Sequence, residues 1–353
     1  MQALHVYAGQ HALKHIQNHG LKPADISAIL GASGGPKWFV LTHLDRYIAQ
    51  EWLPNIPHQV ELIGSSIGAW RMSAYANPNP VDAIAKLEQG YLHQDYSDNA
   101  DAREITHHIH ALLDSFIDEN LSHNQSSRKL NIVAAISRGM TKHEQTHIQA
   151  AAFAGVALAN MISRKTLPLW FERVIFQSTG AQLPIEKWDQ FKTHQVPLRA
   201  DNIRQALHAT GSIPVVIEGV KNPEHAPIGM YRDGGMVDYH FDLPIKPQNG
   251  LVLYPHFAPL LKPGWFDKAL PWRHVNADNY SHTVVICPSA EFIAQLPNQK
   301  IPDRNDFKKH KTSERIEVWK EVIEKNKMLA DAFHNMVNSP NFADTVKPIT
   351  ELI

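Results

Sequence analysis

A serine flanked by glycines stands in Gly64-Ser65-Ser66-Ile67-Gly68, after the apolar segment Val60-Glu61-Leu62-Ile63 and before Ala69 to Tyr75. The spacing G-x-S-x-G between a strand and a helix is that of a nucleophile elbow, whose glycines leave room for a strained turn that pushes the hydroxyl into a cleft. There the helix dipole and the free N–H groups of the first turn favour developing negative charge. The implied chemistry is attack by Ser66 on a carbonyl carbon. The same turn has a plainer use, with Ser66 as the cap of the helix beginning near Ile67.

Attack by a serine creates a tetrahedral oxyanion, which needs N–H donors aimed at one point. A second glycine loop offers them: Gly31-Ala32-Ser33-Gly34-Gly35-Pro36-Lys37 follows the short apolar run Ile26 to Leu30. Gly34 and Gly35 have no side chains to obstruct an approach, and the N–H of Ile67 is placed to complete an oxyanion hole. Gly31 and Lys37 also have the outer spacing of a Walker A loop, but Pro36 replaces its glycine and Trp38 replaces the residue that would hold magnesium. No G-x-G-x-x-G can be drawn here either, so nucleotide binding is not expected.

A third element, Tyr231-Arg232-Asp233-Gly234-Gly235, means little alone because Asp-Gly-Gly is common in turns. Taken in order, the glycine loop, the serine and the downstream Asp-Gly-Gly resemble the patatin-like phospholipase family and its relatives among bacterial acyl hydrolases. The resemblance runs from about Ile26 to Leu243 and includes Ala206-Leu207-His208-Ala209-Thr210-Gly211-Ser212-Ile213-Pro214. It implies a Ser-Asp dyad in which Ser66 attacks, Asp233 takes its proton, and Gly34, Gly35 and Ile67 hold the oxyanion. One departure stands out. The family's loop begins with Asp and has three adjacent glycines before a basic residue, whereas here Ala32-Ser33 precede two; Lys37 keeps the basic position.

A carboxylate is a weak base for a hydroxyl, with a free pKa near ~3.9, so such a dyad requires a dry, short hydrogen bond and strong oxyanion stabilisation. His240, His256, His274 and His282 follow Asp233 and leave open a triad in the chain order Ser, Asp, His, although none has a motif around it. Lys37 and Arg71 are candidate substrate-binding cations, and Trp38 a candidate aromatic wall; Arg71 and Trp38 equally suit packing on their helices. Asp238 and Asp242 read as turn or capping carboxylates.

Around these loops, β-branched apolar runs alternate with helical periodicity, which predicts an α/β fold with a mostly parallel central sheet flanked by helices. Helices are expected over His11 to His19, about Lys37 to Gln50, and much of Asp82 to Asn120; strands over Leu130 to Ile136, Phe171 to Phe176, Leu251 to Tyr254 and Thr283 to Cys287. The small, apolar stretch Ile148 to Ile162 reads as a helix packed into the core, or less readily as a surface offered to lipid. Composition shifts after Pro288, so residues 1–288 read as the acyl hydrolase domain and 289–353 as a mainly helical extension packed on it, helical from about Glu314 to Val337.

The 353 residues carry 34 basic and 35 acidic side chains, a balance that gives no global attraction to nucleic acid or to an anionic membrane. Cys287 is the single cysteine, which excludes an internal disulfide framework and thiolate zinc clusters. No signal-like segment opens the chain, and a cytoplasmic protein is expected. The histidines of Thr106-His107-His108-Ile109-His110 lie in an amphipathic helical pattern without matching carboxylates, so no metal is expected there. The expected function is cleavage of fatty-acyl esters or phospholipids without metal or organic cofactor, with transient contact to a membrane surface. A thioesterase or transacylase would use the same residues, and a non-catalytic module whose glycine loops hold phosphate is the rival from another class.

Overall fold

In a computed structural model, which describes residues 2–118, 121 and 127–353, the apolar runs form one sheet. Its strands among the described residues are β1 (Leu4–Ala8), β2 (Ile26–Gly31), β3 (Val60–Ser65), β4 (Arg128–Ser137), β5 (Phe171–Gln177), β6 (Thr193–Pro197), β7 (Val220–Lys221), β8 (Met230–Asp233), β9 (Leu251–Pro255), β10 (Thr283–Pro288) and β11 (Lys347–Pro348). The spatial order is β11-β1-β10-β9-β2-β3-β4-β5-β6, with β8 paired to β4 and β7 to β8. From β10 through β9, β2 and β3 to β4 every pairing is parallel, while β1 against β10, β5 against β4, and β8 against β4 and β7 are antiparallel. Strands covered on both faces must be apolar throughout, and β3, β9 and β10 are buried at every position.

The helices are α1 (Gln10–His19), α2 (Thr42–Tyr47), α3 (Ile67–Ala76), α4 (Pro80–Leu92), α5 (Ala102–Phe116), α6 (Thr146–Ile162), α7 (Ile203–Gly211), α8 (Ala290–Ile293), α9 (Asp306–Lys309), α10 (Thr312–Lys325), α11 (Lys327–Val337) and α12 (Phe342–Thr345). Asn120, at the end of one expected helical stretch, lies outside the described residues. α3 is buried along its whole length behind the sheet, which gives the serine a rigid mount.

Two local expectations change. In place of a continuous helix from Lys37 to Gln50, the chain makes a run of 3-10 turns over Gly35–Leu41, then α2, then a wide turn over Ile48–Trp52. Trp38, Phe39, Val40 and Leu41 of that run are all buried. The expected core helix, α6, buries only Gln149, Phe153, Val156 and Asn160. It anchors Phe153 against Phe171 and Phe266 and turns outward a face where Leu158 is 60% and Ile162 86% exposed. α6 packs mainly against the 3-10 segments Gly139–Lys142, Arg164–Leu169 and Trp265–Asp267, which leave Leu158 and Ile162 uncovered.

Residues 289–353 pack directly on the rest. The expected helix from Glu314 to Val337 is two helices, α10 and α11, meeting at the buried Asn326. The Asn326 amide donates to the Phe39 carbonyl at 2.7 Å and its oxygen accepts from His43 N–H at 2.9 Å, tying the tail to the segment that follows the glycine loop. Among the described residues, no helix is long and apolar enough to cross a membrane.

Candidate active site

Serine and aspartate meet because two strands share one edge of β4. β3 runs parallel to β4 until Ser65 lies opposite Val133, and β8 runs antiparallel along the next residues until Asp233 lies opposite Ala134. The other edge of β4 is occupied by β5, so the C-terminal ends of β3 and β8 abut. Ser66 and Asp233, 167 positions apart in sequence, are thereby set side by side.

Ser66 adopts φ 56° and ψ −132°, a conformation costly for a residue with a side chain. The turn around it is tight enough that a Cβ on Gly64 would stand 2.4 Å from Ala69 Cα. Two hydrogen bonds hold the strained residue. Its N–H donates to Thr210 Oγ1 at 2.8 Å, and the Thr210 hydroxyl donates in turn to the Val133 carbonyl. Its Oγ donates to Asp233 Oδ2 at 2.8 Å. Although Ser66 occupies the position before α3, its side chain makes no capping bond, so the plain capping role is not what the hydroxyl does.

Asp233 Oδ1 accepts from Gly235 N–H at 2.7 Å, which fixes the carboxylate and leaves Oδ2 toward the serine. Burial pushes this carboxyl up from 3.8 to about 6, against the opposing pull of the Gly235 and Ser66 hydrogen bonds and of Arg304 and Lys268. The result is a group still ionised at neutral pH and more basic than a free carboxylate. The downstream histidines lie elsewhere. His240 and His256 are buried with Nδ1 engaged by Lys262 N–H and by the Ala258 carbonyl, His282 stacks on His11, and His274 is exposed.

Gly34, Gly35 and Ile67 line the same cavity as Ser66. Gly35 and Ile67 each open a helical run, where N–H groups have no intrahelical acceptor. Gly35 has φ 57°, and a Cβ on Gly34 would stand 2.5 Å from the Phe257 ring, so both positions demand glycine. The departure at Ser33 has a use: its hydroxyl lies 2.9 Å from Ser65 Oγ and 3.2 Å from the Ser65 carbonyl, pinning the glycine loop to the serine turn.

The cavity is about 540 Å³. Its apolar wall comes from Trp70, Ile105, Ile109, Ile213, Val216 and Ile217, and its cationic lining from Lys37, Lys268, Arg304 and Lys308. Of the two cations singled out in the sequence, Lys37 is at the cavity and Arg71 is not. Arg71 is buried in the core with a two-pronged bond to Asp45, at 2.9 and 2.6 Å, and Tyr75 adds a third at 2.9 Å. Trp38 is likewise in the core. Asp238 forms a buried ion pair with Arg173, and Asp242 accepts from Asn276 N–H and Asn279. Sequence reasoning did not single out Thr210, Lys268 or Arg304. Thr210 did stand within the segment that resembles the family; the two cations have no motif around them.

Among the described residues, no group of His, Cys, Asp or Glu side chains is arranged to hold a metal ion. No family model matches the chain, and no curated protein matches it.

Proposed function

We propose that this protein is a serine acyl hydrolase of the patatin-like type, working through a Ser66–Asp233 dyad. The observation that carries the reading is the 2.8 Å hydrogen bond from a serine at φ 56° to a buried carboxylate, at the wall of a cavity shared with a glycine loop. A serine held in strain whose only side-chain bond among the described residues runs to an anion is arranged for proton transfer rather than for structure.

In the proposed reaction Ser66 Oγ attacks the ester carbonyl carbon while its proton passes to Asp233 Oδ2. The carbonyl oxygen becomes an oxyanion held by N–H groups of Gly34, Gly35 and Ile67. Collapse breaks the ester C–O bond, and the departing alkoxide takes the proton from Asp233, leaving acyl-Ser66. Water then attacks the acyl carbon and gives its proton to Asp233, and the second collapse returns that proton to Ser66 as the acid leaves. No metal or organic cofactor enters these steps. The substrates are fatty-acyl esters, phospholipids among them, with the acyl group along the Trp70, Ile105 and Ile109 wall.

The test is to incubate the folded protein with a fluorophosphonate probe and locate the modified residue by peptide mass spectrometry. Modification at Ser66, absent in Ser66→Ala, supports the hydrolase. A folded protein that stays unmodified would favour the non-catalytic, anion-holding alternative.

A further inference from the structure

The cavity has two chemically distinct linings that come from different parts of the chain. The apolar side belongs to α3, α5 and the segment after α7, through Trp70, Ile105, Ile109, Ile213 and Ile217. The cationic side belongs to the glycine loop, to the segment after Gly264, and to the C-terminal tail, through Lys37, Lys268 and Arg304. Ser66 and Ile67 belong to the same cavity.

These cations outnumber the carboxylates around them: Asp303 is on the same lining, and Asp233 is near enough to act on Lys268. None of Lys37, Lys268, Arg304 and Lys308 is ion-paired among the described residues, whereas the chain pairs most of its buried arginines closely. Lys37 Nζ stands 5.1 Å from the centre of the Phe257 ring and Lys268 Nζ 5.2 Å from that of Tyr239, so two ammonium groups are held over aromatic faces. Arg304 lies against the oxyanion loop: a Cβ on Gly35 would be 3.6 Å from its Cγ. The carboxylate on this lining, Asp303, is already engaged by Lys300 at 3.1 Å and by Asn305 N–H at 2.7 Å. Lys268 is lowered to about 8, first by desolvation and then by repulsion from Lys37 and Arg304, which together outweigh the opposing pull of Asp233 and Asp303. Both Lys268 and Arg304 act electrostatically on Asp233, and both line the cavity that Ser66 lines.

We propose that the cleft selects esters whose alcohol carries a negative charge, phosphate or carboxylate, held by Lys268 and Arg304 while the acyl group lies along the apolar wall. The inference rests on the acyl hydrolase reading and names the substrate class of that site. An anion on the departing alcohol fits the placement of the cations beside the oxyanion loop, and it would give them the close anionic partner they lack among the described residues. The tail thus joins the site through Arg304. A small soluble ester and a lipid headgroup could both bring this chemistry.

The experiment compares hydrolysis of 1-butyrylglycerol with that of 1-butyrylglycerol 3-phosphate, which differ only in the anion. The expected ratio of kcat/KM favours the phosphate by about tenfold or more at low salt and shrinks as salt screens the cations. Arg304→Gln and Lys268→Gln each lower that ratio by about tenfold, Arg304→Lys restores part of it, and Lys309→Gln, an exposed lysine away from the cavity, leaves it as in the wild type. A wild-type ratio near one, or a ratio unmoved in both glutamine variants, overturns the proposal. Repeating the pair with oleoyl chains in mixed micelles separates the sources: a larger ratio there assigns the anion to a lipid headgroup, a smaller one to a soluble ester, and either supports the subsite. If neither ester is cleaved and the fluorophosphonate leaves Ser66 unmodified, the hydrolase reading fails separately. Calorimetric titration with 1-butyrylglycerol 3-phosphate then decides the subsite, supported by binding that weakens in Arg304→Gln and overturned by its absence in the wild type.

Discussion

Gly31 and Gly68 touch backbone to backbone: a Cβ on Gly68 would stand 1.9 Å from the Gly31 carbonyl oxygen. The end of β2 and the start of α3 are thus in direct contact, and the glycine loop and the serine turn move as one piece. Gly68→Ala forces them apart, with an expected loss of about 3 kcal/mol or more in urea unfolding and loss of fluorophosphonate modification. Gly155 on α6 has open space around it, so Gly155→Ala is expected to stabilise by about 0.5–1 kcal/mol.

On the proposed mechanism, Asp233 sets a pH dependence for rate, and its burial sets one for stability. Only the ionised carboxylate can accept the serine proton, so kcat/KM for a neutral ester rises with pH through about 6 and then levels. Its folded-state pKa lies above the ordinary 3.8, so its contribution to stability is fully present below pH 3.8 and is lost as pH rises through about 6. Asp233→Asn keeps an acceptor for Gly235 N–H and removes the buried charge. At pH 7 it is expected to be more stable than the wild type by up to about 3 kcal/mol, and at pH 4 to show little gain. Its turnover falls by at least about a hundredfold. Turnover close to the wild-type value would remove Asp233 from the mechanism.

On the proposed mechanism, Thr210 is a positioning residue. It accepts a hydrogen bond from Ser66 N–H and donates one to the Val133 carbonyl, so Thr210→Val leaves the buried Ser66 N–H without this partner, at a cost of about 1–3 kcal/mol. The expected signature is a fall in kcat with KM nearly constant, because the serine drifts while the apolar wall stays. Thr210→Ser restores kcat; a valine variant with normal kcat would show that the elbow needs no such tether.

The Arg71–Asp45 pair is a stability element. Arg71→Met leaves the Asp45 charge buried beside Tyr75 and is expected to cost about 3–5 kcal/mol in denaturant unfolding. Adding Asp45→Leu removes the stranded charge and recovers part of the loss. No recovery in the double variant would mean that the arginine acts through its packing alone.

The residues that could be read in advance were those whose role is written in neighbouring positions. Ser66 has its glycines two residues away on either side, Gly34 and Gly35 lie in the short loop after a strand, and Asp233 precedes two glycines. The alternation of apolar runs and helical periods likewise revealed the α/β architecture and the main strands. Thr210 escaped notice because its partners, Ser66 N–H and the Val133 carbonyl, come from two other elements and leave no local pattern. Lys268 and Arg304 escaped for the same reason, since a lysine in a loop looks alike whether or not a cavity lies beneath it. Composition alone could not place α6, because alanine and glycine suit a tight interior contact and a smooth outer face equally well.

The ladder along β4 has a consequence for how this architecture can be altered. Because Ser65 and Asp233 are registered against adjacent residues, Val133 and Ala134, the separation of Ser66 and Asp233 is independent of the length of chain joining them. The exposed turn around Asn222 and His225 is therefore a place where inserted peptides, or newly cut chain ends in a circular permutant, would leave the spacing of the dyad untouched.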